Sequence, residues 1–349
     1  MTEAAKVQVL IASWLEAEHV ETIRRVDARI EVIYEPDLLR KPRYAADHGG
    51  LPTPRTPEGE ARWRGLLAQA DILFDFDYTN HEELPELAPR VRWVQASSAG
   101  IGQFVSRRNY HERWKGVVFT TARGVHAVPL AEFCAFAILG FSRGMFHMHD
   151  LQARKHWERF AGTDLVGRTL VIFGHGAIGR EVARLARGFG MKTIGVKRSV
   201  AGEDPAAHNV DELHSSPAFA SLLPRAEFLV LAAPHTSATE QALGRDEIER
   251  LPAGAFLINI GRGALVDEEA MIDALRSGHL GGAALDVFAT EPLPAESPLW
   301  LMPNVLVSPH SASTSDRENG RLTELFCDNL RRLLKGDPLR NVLDVERQY

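Results

Sequence analysis

Residues 169–198 constrain the chain more than any other stretch. They read T-L-V-I-F-G-H-G-A-I-G-R-E-V-A-R-L-A-R-G-F-G-M-K-T-I-G-V-K-R. The apolar run 170–173 has the length and composition of a buried strand, and it leads directly into Gly174, Gly176 and Gly179 at G-x-G-x-x-G spacing. Val182, Leu185, Ala186 and Phe189 then recur on one helical face, and residues 193–196 read as a second strand. A strand, a glycine turn and an amphipathic helix form a site for a dinucleotide. The glycines let the backbone approach a pyrophosphate, whose charge the helix N-terminus favours. A glycine turn serving only helix–sheet packing is the plainer alternative. The strand and helix on either side favour the cofactor site, with Gly174, His175, Gly176, Ala177, Ile178 and Gly179 as the residues around it.

The 349 residues are enough for two domains, and similar βα units recur on both sides of this stretch. Strands are expected at residues 6–12, 30–34, 71–76, 91–96 and 117–120, then at 170–173, 193–196, 228–232, 255–260, 283–287 and 305–308. Helices are expected at 16–26, 60–70, 267–277 and 313–335, with a long apolar one opening near Pro129. Repeated βα units imply two doubly wound parallel-sheet α/β domains. One is flavodoxin-like (1–125 plus 307–349), with the C-terminal helix returning to complete it. The other (126–306) is of Rossmann type. Residues 36–58 hold five prolines and a Gly-Gly pair, too long for a routine connection. They form either a substrate-side or interface loop or an ordered surface excursion.

A net charge of −6, with both signs interspersed, gives no reason to expect nucleic-acid or membrane binding. Cys134 and Cys327 sit in apolar helical patterns and read as packed free thiols. His147, His149 and His156 lack metal-ligand spacing, so no metal is expected. No signal-like segment or bilayer-length apolar run is evident, which makes the cytoplasm the expected location.

Open α/β sheets bind ligands beyond the carboxyl ends of their strands, and three ends in the second half carry polar groups that a core would not require. Arg262 follows one strand, Asp286 and Glu291 follow another, and His310 follows the last. Each alone has an ordinary explanation as a cap, a solvated carboxylate or a backbone-bonded ring. Together they suit reduction of a 2-oxoacid. His310 serves as general acid, Glu291 favours the imidazolium, and Arg262 offers a planar fork to the substrate carboxylate. The amides around Ser98, Ala99 and Gly100, in the first domain, can hold that carboxylate from the opposite wall.

The chain resembles the D-isomer-specific 2-hydroxyacid dehydrogenase family, its glyoxylate/hydroxypyruvate reductase branch most of all. The resemblance rests on V-I-F-G-H-G-A-I-G, I-N-I-G-R-G-A-L-V-D-E-E-A-M, A-L-D-V-F-A-T-E-P-L-P and P-L-W-L-M-P-N-V-L-V-S-P-H, in the family's order. It covers nearly the whole chain and weakens only over residues 36–58. It implies catalytic roles for Arg262, Glu291 and His310 and a nicotinamide contact for Asp286. It also implies a substrate-binding loop at residues 98–100, closure of two domains over the active site, and a homodimer centred on the cofactor domain. Pro234 falls on the cofactor wall. Where NAD-preferring members end the second cofactor strand with an acidic residue, this chain has Lys197, Arg198 and Ser199. Two cations and a hydroxyl there favour a 2′-phosphate, so NADP(H) is expected over NAD(H). Two other functions stay open: an NAD-dependent, D-lactate-like or larger-side-chain dehydrogenase, and a non-catalytic dinucleotide-sensing regulator on the same fold.

Overall fold

Alternation along β1 (Val7–Ile11) sends Val9 and Ile11 to one face of a sheet and Leu10 to the other. The same alternation in β3 (Ile72–Phe74) and β4 (Trp93–Gln95) builds two apolar layers. With β2 (Ile30–Ile33) and β5 (Val118–Thr120), these strands form a parallel sheet in the order β2-β1-β3-β4-β5. That is the flavodoxin-like winding. The structure, a computed structural model, describes residues 6–347.

One layer is closed by the C-terminal helix Glu318–Lys335, whose Leu322, Phe326 and Leu330 recur every four residues and are buried. Phe326 stacks on Trp93 with ring centroids 4.9 Å apart and meets Phe74 edge-on at 5.1 Å. Burying a side chain of this size contributes about 2–3 kcal/mol, so the terminal helix is part of this unit's core. The other layer receives Trp63 and Leu67 from helix Pro57–Gln69. Residues 36–58 are an ordered segment. Lys41 and Leu51 form a bridge, Asp47 is bonded to Arg43 and to the Gly50 amide, and Arg55 reaches the Leu38 carbonyl. Burial pushes the Asp47 carboxyl up, but Arg43 and the two amides outweigh it and hold the group at about 2.

The second unit runs from His126 to Ser313, and the first takes up the chain before it and from Thr314 onward. The return to the first unit therefore lies beyond residue 306, where the sequence suggested it. The reason is that β12 (Val305–Val307) pairs with β11 (Leu280–Leu285), and the loop after it is bonded back to the same sheet.

This sheet also contains β6 (Thr169–Phe173), β7 (Lys192–Lys197), β8 (Glu212–Ser215), β9 (Phe228–Leu231) and β10 (Ala255–Asn259). The order is β12-β11-β10-β9-β6-β7-β8, all parallel, with the reversal of winding between β6 and β9. It is a Rossmann-type sheet extended by one strand, and its crevice opens at that reversal. The apolar helix Ala127–Ser142 covers one face through Leu130, Ala131, Cys134 and Ile138; Pro129 is its third residue, inside the first turn, where no N–H is missed. Cys134 and Cys327 are buried free thiols, each pushed up by burial, Cys327 to about 11. No single helix among the described residues is long and apolar enough to cross a membrane.

Candidate active site

The glycine turn leaves β6 at the winding reversal. Gly174 has φ +99°, and a Cβ there would lie 2.2 Å from the Ala233 nitrogen, so only glycine lets the turn pass the end of β9. A Cβ on Gly176 meets nothing within 4 Å, and Gly176 and Ala177 are exposed at the start of helix Ala177–Gly188. Ile178 is half-buried, and Gly179 packs against the Gly174 carbonyl. A tight turn under an open helix N-terminus fits a dinucleotide pyrophosphate. The Gly174 and His175 amides both donate to the Val196 carbonyl at 2.9 Å, which fastens the turn to the end of β7.

The His175 ring is only 1 % exposed. It lies beneath the turn, so the side chain of His175, counted among the residues around the cofactor site, is turned away from solvent. A Cβ at position 195 would come within 2.8 Å of the ring, so Gly195 makes the room, and His175 Nε2 bonds the His208 carbonyl at 2.9 Å. Burial holds this imidazole neutral, lowering it to about 4 from an ordinary 6.5. The unfolded chain therefore takes up a proton that the folded chain refuses, and the stabilising effect is complete above about pH 6.5 and lost progressively down to about pH 4. The unfolding free-energy gap between wild type and His175→Gln is expected to shrink by about 3 kcal/mol between pH 7 and pH 4. Denaturant titrations at several pH values measure it. A gap independent of pH would show that the ring is not held neutral.

Three adjacent strand ends carry the acid–base groups. β10 ends at Asn259, whose side chain accepts from the Gly261 amide and donates to the Arg262 carbonyl, fixing the turn that presents Arg262. A Cβ on Gly263 would lie 2.0 Å from the Phe288 carbonyl, so this turn packs directly on the loop after β11. Arg262 Nη1 donates to the Gly261 carbonyl at 2.7 Å. Burial lowers the guanidinium's proton affinity, and the nearby charges of Glu291 and Asp286 pull it back.

Glu291 Oε2 lies 2.8 Å from His310 Nδ1, while its Oε1 accepts from the Phe288 amide at 3.1 Å. One carboxylate oxygen is thus anchored to the backbone and the other orients the ring. His310 has φ +53°, a left-handed conformation costly for a residue with a Cβ and found mostly where the surroundings impose it. Asp286 supplies that constraint. Its Oδ1 accepts from Ser308 Oγ (2.6 Å), the Ser311 amide (2.8 Å) and the Ala312 amide (2.9 Å). Burial raises the Asp286 carboxyl, against the lowering effect of these donors and of His310. Reading the sequence missed this role, because two of its three partners are backbone amides.

The other expected residues lie as follows. Pro234 is exposed just beyond β9, its carbonyl accepting from Thr239 Oγ1. Lys197 ends β7 with its Nζ on Glu203, and Arg198 and Ser199 are exposed. In the first unit, Ser98, Ala99 and Gly100 form an exposed loop after β4, and the Gly100 amide bonds Ser98 Oγ. Beneath that loop, fully buried Asp75 (φ +65°) accepts from the Ser97 amide and from Ser97 Oγ at 2.8 Å. Burial raises its carboxyl. Asp75 is a second support missed from the sequence; an aspartate at a strand end gave no sign of facing inward.

Comparison with known proteins places the chain in a family. The D-isomer specific 2-hydroxyacid dehydrogenase NAD-binding domain matches residues 135–312. A glyoxylate/hydroxypyruvate reductase B of Pectobacterium carotovorum is 32% identical over 279 residues, spanning 78% of this chain and 83% of that protein. Among solved structures, a D-isomer specific 2-hydroxyacid dehydrogenase family protein of Aeromonas salmonicida superposes with a TM-score of 0.79 at 26% identity, covering 98% of this chain and all of the other. A Xanthobacter autotrophicus member in complex with NADPH and MES gives 0.76 at 25% identity, with 98% and 100% coverage. This chain is therefore a member of the D-isomer specific 2-hydroxyacid dehydrogenase family of NAD(P)-dependent oxidoreductases.

Proposed function

We propose that this chain reduces a small 2-oxoacid, of glyoxylate or hydroxypyruvate type, to the D-2-hydroxyacid with NADPH. The observation that carries this reading is the 2.8 Å contact between His310 Nδ1 and Glu291, in the same unit and on strand ends next to the one bearing Arg262. A bound nicotinamide cofactor supplies the hydride to the carbonyl carbon. With Nδ1 committed to Glu291, Nε2 is the atom of His310 that delivers the proton to the carbonyl oxygen and takes it back in the reverse direction. Glu291 holds the ring in place through Nδ1. The N–H groups of Arg262 beyond its bond to Gly261 fit a carboxylate.

The glycine turn, Pro234 and Asp286 are proposed to line the cofactor, and Lys197, Arg198 and Ser199 to meet the 2′-phosphate. The second unit also exposes Phe136, Trp157, Val166 and Leu301, the tryptophan 93 % exposed, which supports a homodimer formed through this unit. Oxidation of NADPH and NADH, followed at 340 nm with a panel of 2-oxoacids, tests the reading; light scattering on the same preparation reports the dimer. Turnover is expected with two- and three-carbon 2-oxoacids and is expected to be faster with NADPH. Cofactor binding without turnover of any 2-oxoacid would leave the regulatory function standing. A preference for NADH and bulky 2-oxoacids would leave the D-lactate-like one.

A further inference from the structure

The end of β7 is wired to a loop residue that no part of the cofactor reading uses. Val196 accepts the two glycine-turn amides, so Lys197, the next residue, is fixed in register with the pyrophosphate turn. Its Nζ is held by both oxygens of Glu203, at 2.8 and 2.7 Å. Glu203 Oε2 also lies 2.5 Å from His208 Nε2. The His208 side chain is 7% exposed and is anchored in turn, because its carbonyl accepts the buried His175 ring. Glu203 is therefore gripped from two sides, and the hydrogen bond from Lys197 and the charges of Lys197 and His208 hold its carboxyl below the usual range. The cation that would greet a 2′-phosphate already has an anionic partner six residues along the chain.

We propose that Glu203 is a cofactor-specificity residue, an internal anion that competes with the 2′-phosphate for Lys197 and offers an acceptor to the 2′-hydroxyl of NAD(H). The inference rests on the proposed placement of Lys197 beside the 2′ position. Family members selective for NAD end this strand with an acidic residue; here the acidic group comes from the following loop and the strand itself ends in lysine. The balance between the two cofactors is then set by how readily Glu203 yields Lys197. A carboxylate next to a phosphate repels it, whereas a hydroxyl donates to it. Glu203 thus limits the NADPH preference that Lys197, Arg198 and Ser199 would otherwise give.

Calorimetric titration with 2′,5′-ADP and with 5′-AMP reads this without turnover. Glu203→Gln keeps the side-chain size and can still bond Lys197 or His208, but removes the charge. It is expected to tighten 2′,5′-ADP by about 3- to 5-fold, the scale of one half-exposed charge pair, while 5′-AMP, whose 2′-hydroxyl loses a charged acceptor, does not tighten. In steady state the same variant should move the NADPH/NADH ratio of kcat/KM upward by a similar factor. Lys197→Met is the second arm and should weaken 2′,5′-ADP but not 5′-AMP. If Lys197→Met weakens 2′,5′-ADP and Glu203→Gln leaves it unchanged, or tightens both nucleotides equally, the role of Glu203 is refuted and the placement of Lys197 survives. If Lys197→Met leaves 2′,5′-ADP unchanged, the placement of Lys197 is wrong and the inference falls with it.

Discussion

Replacing His310 with alanine is expected to lower kcat for 2-oxoacid reduction by a factor on the order of 10² to 10⁴, the usual contribution of a positioned general acid. Cofactor affinity should stay near wild type, since the ring's side-chain hydrogen bond is with Glu291 and the glycine turn lies after a different strand. The imidazole is 46% exposed, so its loss removes little packing and the fold should hold. The left-handed φ of +53° also becomes no more costly with alanine, because both residues carry a Cβ. Fluorescence titration of cofactor beside steady-state rates separates chemistry from binding. A variant that kept kcat within about threefold would remove His310 from the chemistry and leave the Glu291 pair a structural one.

The strands of the two units were legible because their apolar runs are dense: L-V-I-F before the glycines and A-F-L-I-N before Arg262 are short, apolar and bounded by turns. β8 was not, because E-L-H-S is a half-buried edge strand with no apolar run to mark it. The C-terminal helix begins at Glu318 and not at residue 313, since residues 313–317 are taken up by turns leading out of the second unit. Arg262, Glu291 and His310 could be read because each sits at the end of a recognisable strand within a familiar motif. The contacts that fix the His310 loop and Lys197 could not. Asp286 acts through amides 25 and 26 residues away, and Glu203 faces Lys197 only because a loop folds back on itself. Residues 36–58 are ordered by contacts the spacing did not show, Asp47 bonding within the segment and Arg55 reaching Asp77. Spacing along the chain identifies elements. Contacts formed through backbone atoms and loop closure leave little trace in it.

Arg262→Gln is expected to lower kcat/KM for a 2-oxoacid by about 10² to 10³, the range for losing one group that binds developing charge in a water-poor site. Two effects act in the same direction. The variant loses the fork that pairs with the substrate carboxylate. It also leaves Asp286 and Glu291, whose charges now act on Arg262, facing an incoming anion without that cation between them. Arg262→Lys keeps a positive charge but not the planar fork, and should recover only part of the loss. A substrate without a carboxylate separates substrate binding from general damage. If Arg262 holds the carboxylate, the neutral methyl ester of the same 2-oxoacid should lose far less with Arg262→Gln than the acid does, and added guanidinium should restore part of the rate for the acid alone. Equal losses for acid and ester would assign Arg262 to the carbonyl oxygen or to the fold, and no loss for either would take it out of the site.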